Sequence, residues 1–418
     1  MSLRVIRFRS IQVRLAAVAI VAVVVVFSFL NLVWGFASTV SAGADNKELG
    51  ALLAELSPGD PQTHFASAVL HEKTFEPADL QTALREYEAA AALSPHNYLS
   101  WLELGTALDR AGEKERAETA LRRAHALAPN YPRVAWALGN FLLRDGRNDE
   151  AYAELRKAVA GDASFAAAVA AVALQMSDGD AQLVRSRLEN SYRVNASLAL
   201  LLAQQKRFDE AAELWKTVPV EDEKTSETAK TLRQLFLEEK KFRAAIAINS
   251  GNGIPISLET ITNPGFESAV KIEGADAFDW RVPATNCPQF VITDAQKRSG
   301  KYSLIAVFNI AEPCDFRSIT QLVAVRPARA YTLNAAYRAD LKAKAAFQLE
   351  IVSAADGKRL AVSTPLEHST GWAELSINFS VPQETDGIEI RLIRGECVGL
   401  ACSATGNLWF DDLSLVAK

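Results

Sequence analysis

Cysteine, histidine and any recognisable catalytic signature are what this chain is short of. Its four cysteines (Cys287, Cys314, Cys397 and Cys402) all fall in the last third, and it has only five histidines. So small a stock of thiols and imidazoles limits metal and nucleophile chemistry. The nucleophile elbow Gly-x-Ser-x-Gly, the zinc motif His-Glu-x-x-His, the Walker loop and a strand-linked Gly-x-Gly-x-x-Gly are all missing. Glycoside hydrolysis needs two carboxylates flanking a sugar cleft. The candidates Glu267, Asp411 and Asp412 sit in strand motifs that explain them otherwise. The sequence is therefore read as non-enzymatic. Net charge is small as well: 45 basic against 50 acidic side chains give -5, which argues against a nucleic-acid partner.

What is present comes in three pieces, and 418 residues are too many for one ordinary core. Residues 1–14 make a basic tip with Arg4, Arg7, Arg9 and Arg14, and no acidic residue appears before Asp45. Residues 15–37 are an apolar run long enough to cross a bilayer, with Trp34 near its outer end. The basic flank holds the tip in the cytoplasm and sends the rest across. The expectation is a single-pass signal anchor in a bacterial inner membrane, with the body in the periplasm. The alternative is a cleaved signal peptide at Ala42-Gly43-Ala44, which leaves a periplasmic or secreted protein. Residues 38–61 follow as a juxtamembrane segment.

The second piece, 62–250, repeats itself. Gly105 and Gly139 are 34 residues apart, as are Ala83, Ala117 and Ala151, Ala90, Ala124 and Ala158, and Pro95 and Pro129. The best unit carries Trp101, Leu104, Gly105, Leu108, Ala117, Leu121, Ala124 and Pro129. This resembles the tetratricopeptide repeat, a helix–turn–helix unit of about 34 residues. Small residues sit where two helices cross closely, and glycines at Gly112 and Gly146 stop the first helix of a unit. Three fair units, a degenerate one near 165–190 and two weaker ones are expected. The resemblance implies an all-α solenoid whose concave face takes a protein partner. Trp136, Asn140 and Arg144 share a helix face there, and Asp109 and Arg110 close the preceding helix. Trp101 is assigned to the core, whereas Trp136 is either a binding ring or packing for the next unit. The Lys and Asn set that grips a terminal carboxylate in some members of the family is not found. His64, His71, His96 and His125 lie on or between repeat helices and are expected to be half-exposed surface residues.

The stretch 251–257 breaks any helix and is read as a linker. From 258 to 418 the period becomes two. Tyr331, Leu333, Ala335 and Tyr337 alternate with Thr332, Asn334, Ala336 and Arg338; Trp409, Asp411, Leu413 and Leu415 alternate with Phe410, Asp412 and Ser414. An all-β sandwich follows. Asn263-Pro264-Gly265-Phe266-Glu267, Trp280, Ser299 to Leu304, Gln321, Pro327 with Tyr331, Arg338, Gly371-Trp372 and Leu408 to Leu415 come in an order that resembles the jelly-roll, galactose-binding-like carbohydrate-binding modules. The resemblance implies a first strand at 263–267 and a last at 408–415. It also implies a structural Ca2+ held by Glu267 and Asp411, and affinity for glycan. On parity Asp411 points inward with Leu413, so it needs a cation, Arg338 or backbone N–H groups. Trp280, Trp372 and Trp409 sit in framework motifs and are read as core. Tyr302, Phe316 and Tyr337 remain as sugar-binding candidates. In an oxidising compartment the pairings chosen are Cys287–Cys314 and Cys397–Cys402, although four cysteines allow three pairings.

The whole is expected to be a membrane-anchored scaffold in a cell-envelope complex for polysaccharide export or assembly, with solenoid bound to protein and sandwich bound to glycan. A purely structural subunit with no sugar binding is the runner-up, and a carbohydrate-active enzyme is the third reading.

Overall fold

The structure is a computed structural model that describes residues 10–74, 76–219, 223–248, 256–270, 274–283, 288–310, 316–396 and 403–418. The chain divides into two compact units, Met1–Val194 and Asn195–Lys418.

The first unit opens on α1 (Ile11–Ser41), capped by the Ser10 hydroxyl, which accepts from the Val13 N–H. This helix is long and apolar enough to cross a bilayer, and its span is exposed. Only its last turns meet the rest of the unit: Ala37 and Ser41 are buried, beside α2 (Lys47–Leu56) and α3 (Pro61–Glu72). The segment read as juxtamembrane is thus largely helical. Helix pairs follow in α3 with α4 (Pro77–Leu93), α5 (Tyr98–Arg110) with α6 (Lys114–Leu127), and α7 (Pro132–Arg144) with α8 (Asn148–Gly161). Proline at the first turn of α3, α4 and α7 costs no hydrogen bond there. Gly112 and Gly146 take φ of +81° and +80° after α5 and α7, the left-handed turn expected of helix-stopping glycines. At the crossing of α5 on α6, a Cβ on Gly105 would lie 2.7 Å from Leu121 Cγ, so the repeat glycine sets the interhelical distance. The degenerate unit is α9 (Ala166–Met176) and the short α10 (Ala181–Arg187).

Two weaker pairs, α11 (Tyr192–Gln204) with α12 (Phe208–Trp215) and α13 (Glu223–Glu238) with α14 (Phe242–Ala247), complete six in chain order. From Asn195 onward they belong to the same compact unit as the sandwich. Several contacts among the described residues join them to it. Arg233 makes a bidentate pair with Asp276 at 2.6 and 2.8 Å. Lys240 donates to the Ala355 carbonyl. The Asp386 carboxylate accepts from the N–H groups of Phe242 and Arg243, both at 3.1 Å, and so caps α14 from across the chain. The Phe242 ring lies where a Cβ of Gly387 would stand, 2.2 Å from it. The compact division falls well before the proposed linker, most of which (251–255) lies outside the described residues.

The sandwich has a five-stranded sheet in the order β1-β2-β9-β4-β7 and a four-stranded sheet in the order β3-β8-β5-β6, all neighbours antiparallel. The strands are β1 (Gln289–Thr293), β2 (Ser303–Ile310), β3 (Thr320–Ala324), β4 (Ala330–Ala343), β5 (Phe347–Ser353), β6 (Arg359–Val362), β7 (Ala373–Ser380), β8 (Gly387–Arg394) and β9 (Ala404–Ala417). Their inner faces close on Leu304, Phe308, Tyr331, Leu333, Phe347, Ile351, Ile390, Leu408, Phe410 and Leu413, with Trp280 and Phe266 at one end. Residues 263–267 do not form the expected first strand. Asn263 and Phe266 have φ of +49° and +57°, and the Asn263 side chain bonds both backbone polar groups of Ser268, which makes the motif a turn.

Candidate functional site

Two surfaces gather polar and aromatic side chains. The first is a groove of about 240 Å3 between α5 and α7, and it brings together all five residues expected to meet a partner: Asp109, Arg110, Trp136, Asn140 and Arg144. Helix spacing explains the assembly, because Trp136, Asn140 and Arg144 repeat every four residues and face the end of α5. Each arginine is held by one carboxylate. Arg144 pairs with Asp109, Arg110 with Glu72 at 2.6 Å, and Arg133 with Glu103 at 2.5 Å. Burial pushes the Glu103 carboxyl above its ordinary range, and Arg133 opposes that shift. Trp136 stacks on Phe165 with ring centroids 5.9 Å apart, so part of its surface packs on the next unit. The remaining feature is Asn140 Oδ1, which is buried and has no hydrogen-bond partner among the described residues. An acceptor left bare at the wall of a groove is costly unless a donor arrives. Trp101, assigned to the core, is half-buried and donates from Nε1 to the Pro95 carbonyl at 3.1 Å.

The histidines of the repeat region are half-buried or exposed, and three of them have carboxylate partners. His64 meets Glu86 at 2.6 Å, His71 meets Asp79 at 3.0 Å and His125 meets Glu154 at 3.2 Å. All three tie a helix to a neighbour and are half-buried, whereas His96 is exposed.

The second surface is on the sandwich. Glu267 accepts from the Lys301 N–H at 3.0 Å and the Tyr302 N–H at 3.3 Å. Asp411, fully buried, accepts from the N–H groups of Arg298 (2.8 Å), Ser299 (3.3 Å) and Asp412 (2.8 Å). Burial raises the Asp411 carboxyl and these donors lower it, with burial the larger effect. Both carboxylates therefore grip one loop, 298–302, and Gly300 (φ +59°) is required because a Cβ there would strike Glu267. In this arrangement backbone N–H groups meet both oxygens of each carboxylate. Among the described residues no group of three or more Asp, Glu, His or Cys is placed to hold a metal.

Parity failed at the same point. Ala336 pairs with Asp411 but Asn334 with Ser414, a bulge at which Asp412 takes φ +49°. Phe410 and Leu413 therefore both face the core, while Trp409 and Asp411 lie on the opposite side of β9. Trp409, read as core, is buried at 8% exposure, but on the face of β9 opposite Phe410, in register with Ile305 and Arg338. The Arg338 guanidinium lies 5.6 Å from the Trp409 ring centroid and donates to Gln296 Oε1 at 2.7 Å. Trp409 Nε1 and Arg338 Nε are buried without partners among the described residues. In the next row Val307, Asn407 and Asp340 are in register. This row was not found from the sequence, since a bulge leaves no mark on an alternating pattern.

The three aromatic candidates are not brought together. Tyr302 is exposed beside the 298–302 loop, Tyr337 packs half-buried against the core, and Phe316 sits 5.7 Å from Phe347 under Arg394. Trp280 is in the core as expected, with its ring 5.3 Å from Phe266. Cys287, Cys314, Cys397 and Cys402, and with them the expected pairings, lie outside the described residues.

No protein family matches the chain, and no curated protein matches it. Solved structures similar to parts of it include Pseudomonas aeruginosa PilF, 18% identical over 52% of this chain and 90% of that one, with a TM-score of 0.31. A CBM4 structure is 15% identical over 38% of this chain and 100% of its own length, at a TM-score of 0.29. TmCBM61, solved with beta-1,4-galactotriose, is 19% identical over 39% and 100%, at 0.27. These likenesses are faint, and the fold class rests on the chain's own helices and strands.

Proposed function

We propose that the chain is a non-enzymatic, membrane-anchored scaffold whose first unit docks a segment of another protein in the α5/α7 groove. The observation that carries this reading is the bare acceptor of Asn140 beside Trp136, in a groove whose arginines are already neutralised by carboxylates. Such a wall suits backbone N–H donors and an apolar side chain, and offers no surplus charge to a phosphate or nucleic acid. The inner membrane, reached through α1, and a periplasmic body are part of the proposal.

For the sandwich the proposed ligand is glycan, taken on the outer face where Arg338, Asn407 and Asp340 form a polar row beside the buried Trp409 and half-buried Ile305 and Val307. Polysaccharide export or assembly is the setting that joins a protein dock and a glycan face on one tethered chain. Detergent-solubilised full chain on a glycan array tests the sugar arm, with Arg338→Ala as the control. Binding that Arg338→Ala abolishes supports it. No binding to any polysaccharide leaves the sandwich a packing element of a larger assembly.

A further inference from the structure

Between Leu15 and Ala37 the polar or glycine residues are Ser28, Asn31 and Gly35. At 100° per residue they fall within an arc of about 60° on α1. Asn31 lies roughly 25 Å along the helix from Arg14, within the depth of the hydrocarbon. Its Nδ2 donates to the Phe27 carbonyl at 2.7 Å, and among the described residues no other partner is found for the amide. A primary amide half-satisfied in lipid favours association with another helix. The arc extends as a seven-residue repeat: Ala17, Val24, Asn31 and Ser38 alternate with Val21, Ser28, Gly35 and Ala42. The body of the first unit meets α1 on the other side, at Ala37 and Ser41, so the arc is open. A Cβ on Gly35 would meet nothing within 4 Å.

We infer that α1 pairs, parallel and in register, with α1 of a second copy of this chain through Asn31. A carboxamide is donor and acceptor at once, so across a two-fold axis the same residue completes both amides. β-Branched Val24 and a single Asn31 at equivalent positions are also the pattern that selects two parallel strands and fixes their register. Gly35 permits the close approach. The inference rests on the anchor reading of α1.

The test uses the full chain in native membranes, with a photoreactive residue placed at Val24 or Ser28 on the arc, or at Val26 or Leu30 off it. The expected product is a covalent species of twice 45.4 kDa from Val24 and Ser28 only. Asn31→Leu and Gly35→Leu should each cut its yield by about five-fold or more, while the chain stays resistant to alkaline extraction. An intact, extraction-resistant chain that gives no dimer, equal yields at all four positions, or adducts with a different protein overturns pairing with a second copy. A chain that extracts readily and begins after Ala44 overturns the anchor itself, and the pairing with it.

Discussion

Asp411 and Glu267 hold the 298–302 loop through four of its backbone N–H groups, and Asp411 also accepts from the Asp412 N–H, which makes them testable residue by residue. Asp411→Ala leaves up to three buried N–H groups without acceptors, each worth about 1–3 kcal/mol. The expected loss is at least about 2 kcal/mol by urea unfolding, with the first unit unaffected. A chelator should leave the melting temperature of the sandwich unchanged; a fall restored by added Ca2+ would show that a cation replaces the N–H donors. Gly105→Ala forces Leu121 aside at the α5/α6 crossing and should cost about 1–3 kcal/mol in the first unit. At this scale the repeat positions were legible, because Gly105, Ala117 and Leu121 must recur wherever helices cross at one distance. The bulge at Asp412 was not. It reverses which neighbours of Asp411 are core, and only the pairing of β9 with β4 exposes it.

Helix α14 is six residues long and lacks a cap from its own N-cap residue, so Asp386 supplies what the helix cannot. Asp386→Ala should lower stability by about 0.5–2 kcal/mol, the range of an ordinary N-cap. Burial holds the Asp386 carboxyl above its ordinary value of 3.8, against the two N–H donors. A raised carboxyl means the folded state binds the proton more tightly, so its contribution is present below 3.8 and is lost as pH rises through the raised value. Compared with Asp386→Asn, the unsubstituted chain should lose stability between pH 3.5 and the neutral range; a gain over that interval would contradict the assignment. The six helix pairs were legible from spacing and turn glycines. Assignment of the last two to the unit of the sandwich was not, since the contact of Asp386 with Phe242 spans 144 residues and has no local signature.

For the whole molecule, sequence and structure agree on an apolar N-terminal helix, a helical repeat region and a β-sandwich. They agree because each rests on a period: a long apolar run, 34 residues, and two. The groove at α5/α7 was legible for the same reason, as helix spacing alone places Trp136, Asn140 and Arg144 on one line. Sites built from loops or across bulges carry no period, which is why Tyr302, Phe316 and Tyr337 were grouped by residue type and the Trp409–Arg338 row was missed. The central claim is that the groove docks protein, and the direct measurement is quantitative recovery of the complex from crosslinked envelopes. The full chain is compared with a Trp136→Ala, Asn140→Leu variant whose melting curve is checked separately. The account predicts one defined partner, reduced ten-fold or more by the double substitution while the fold survives. Equal recovery from the folded variant would contradict it.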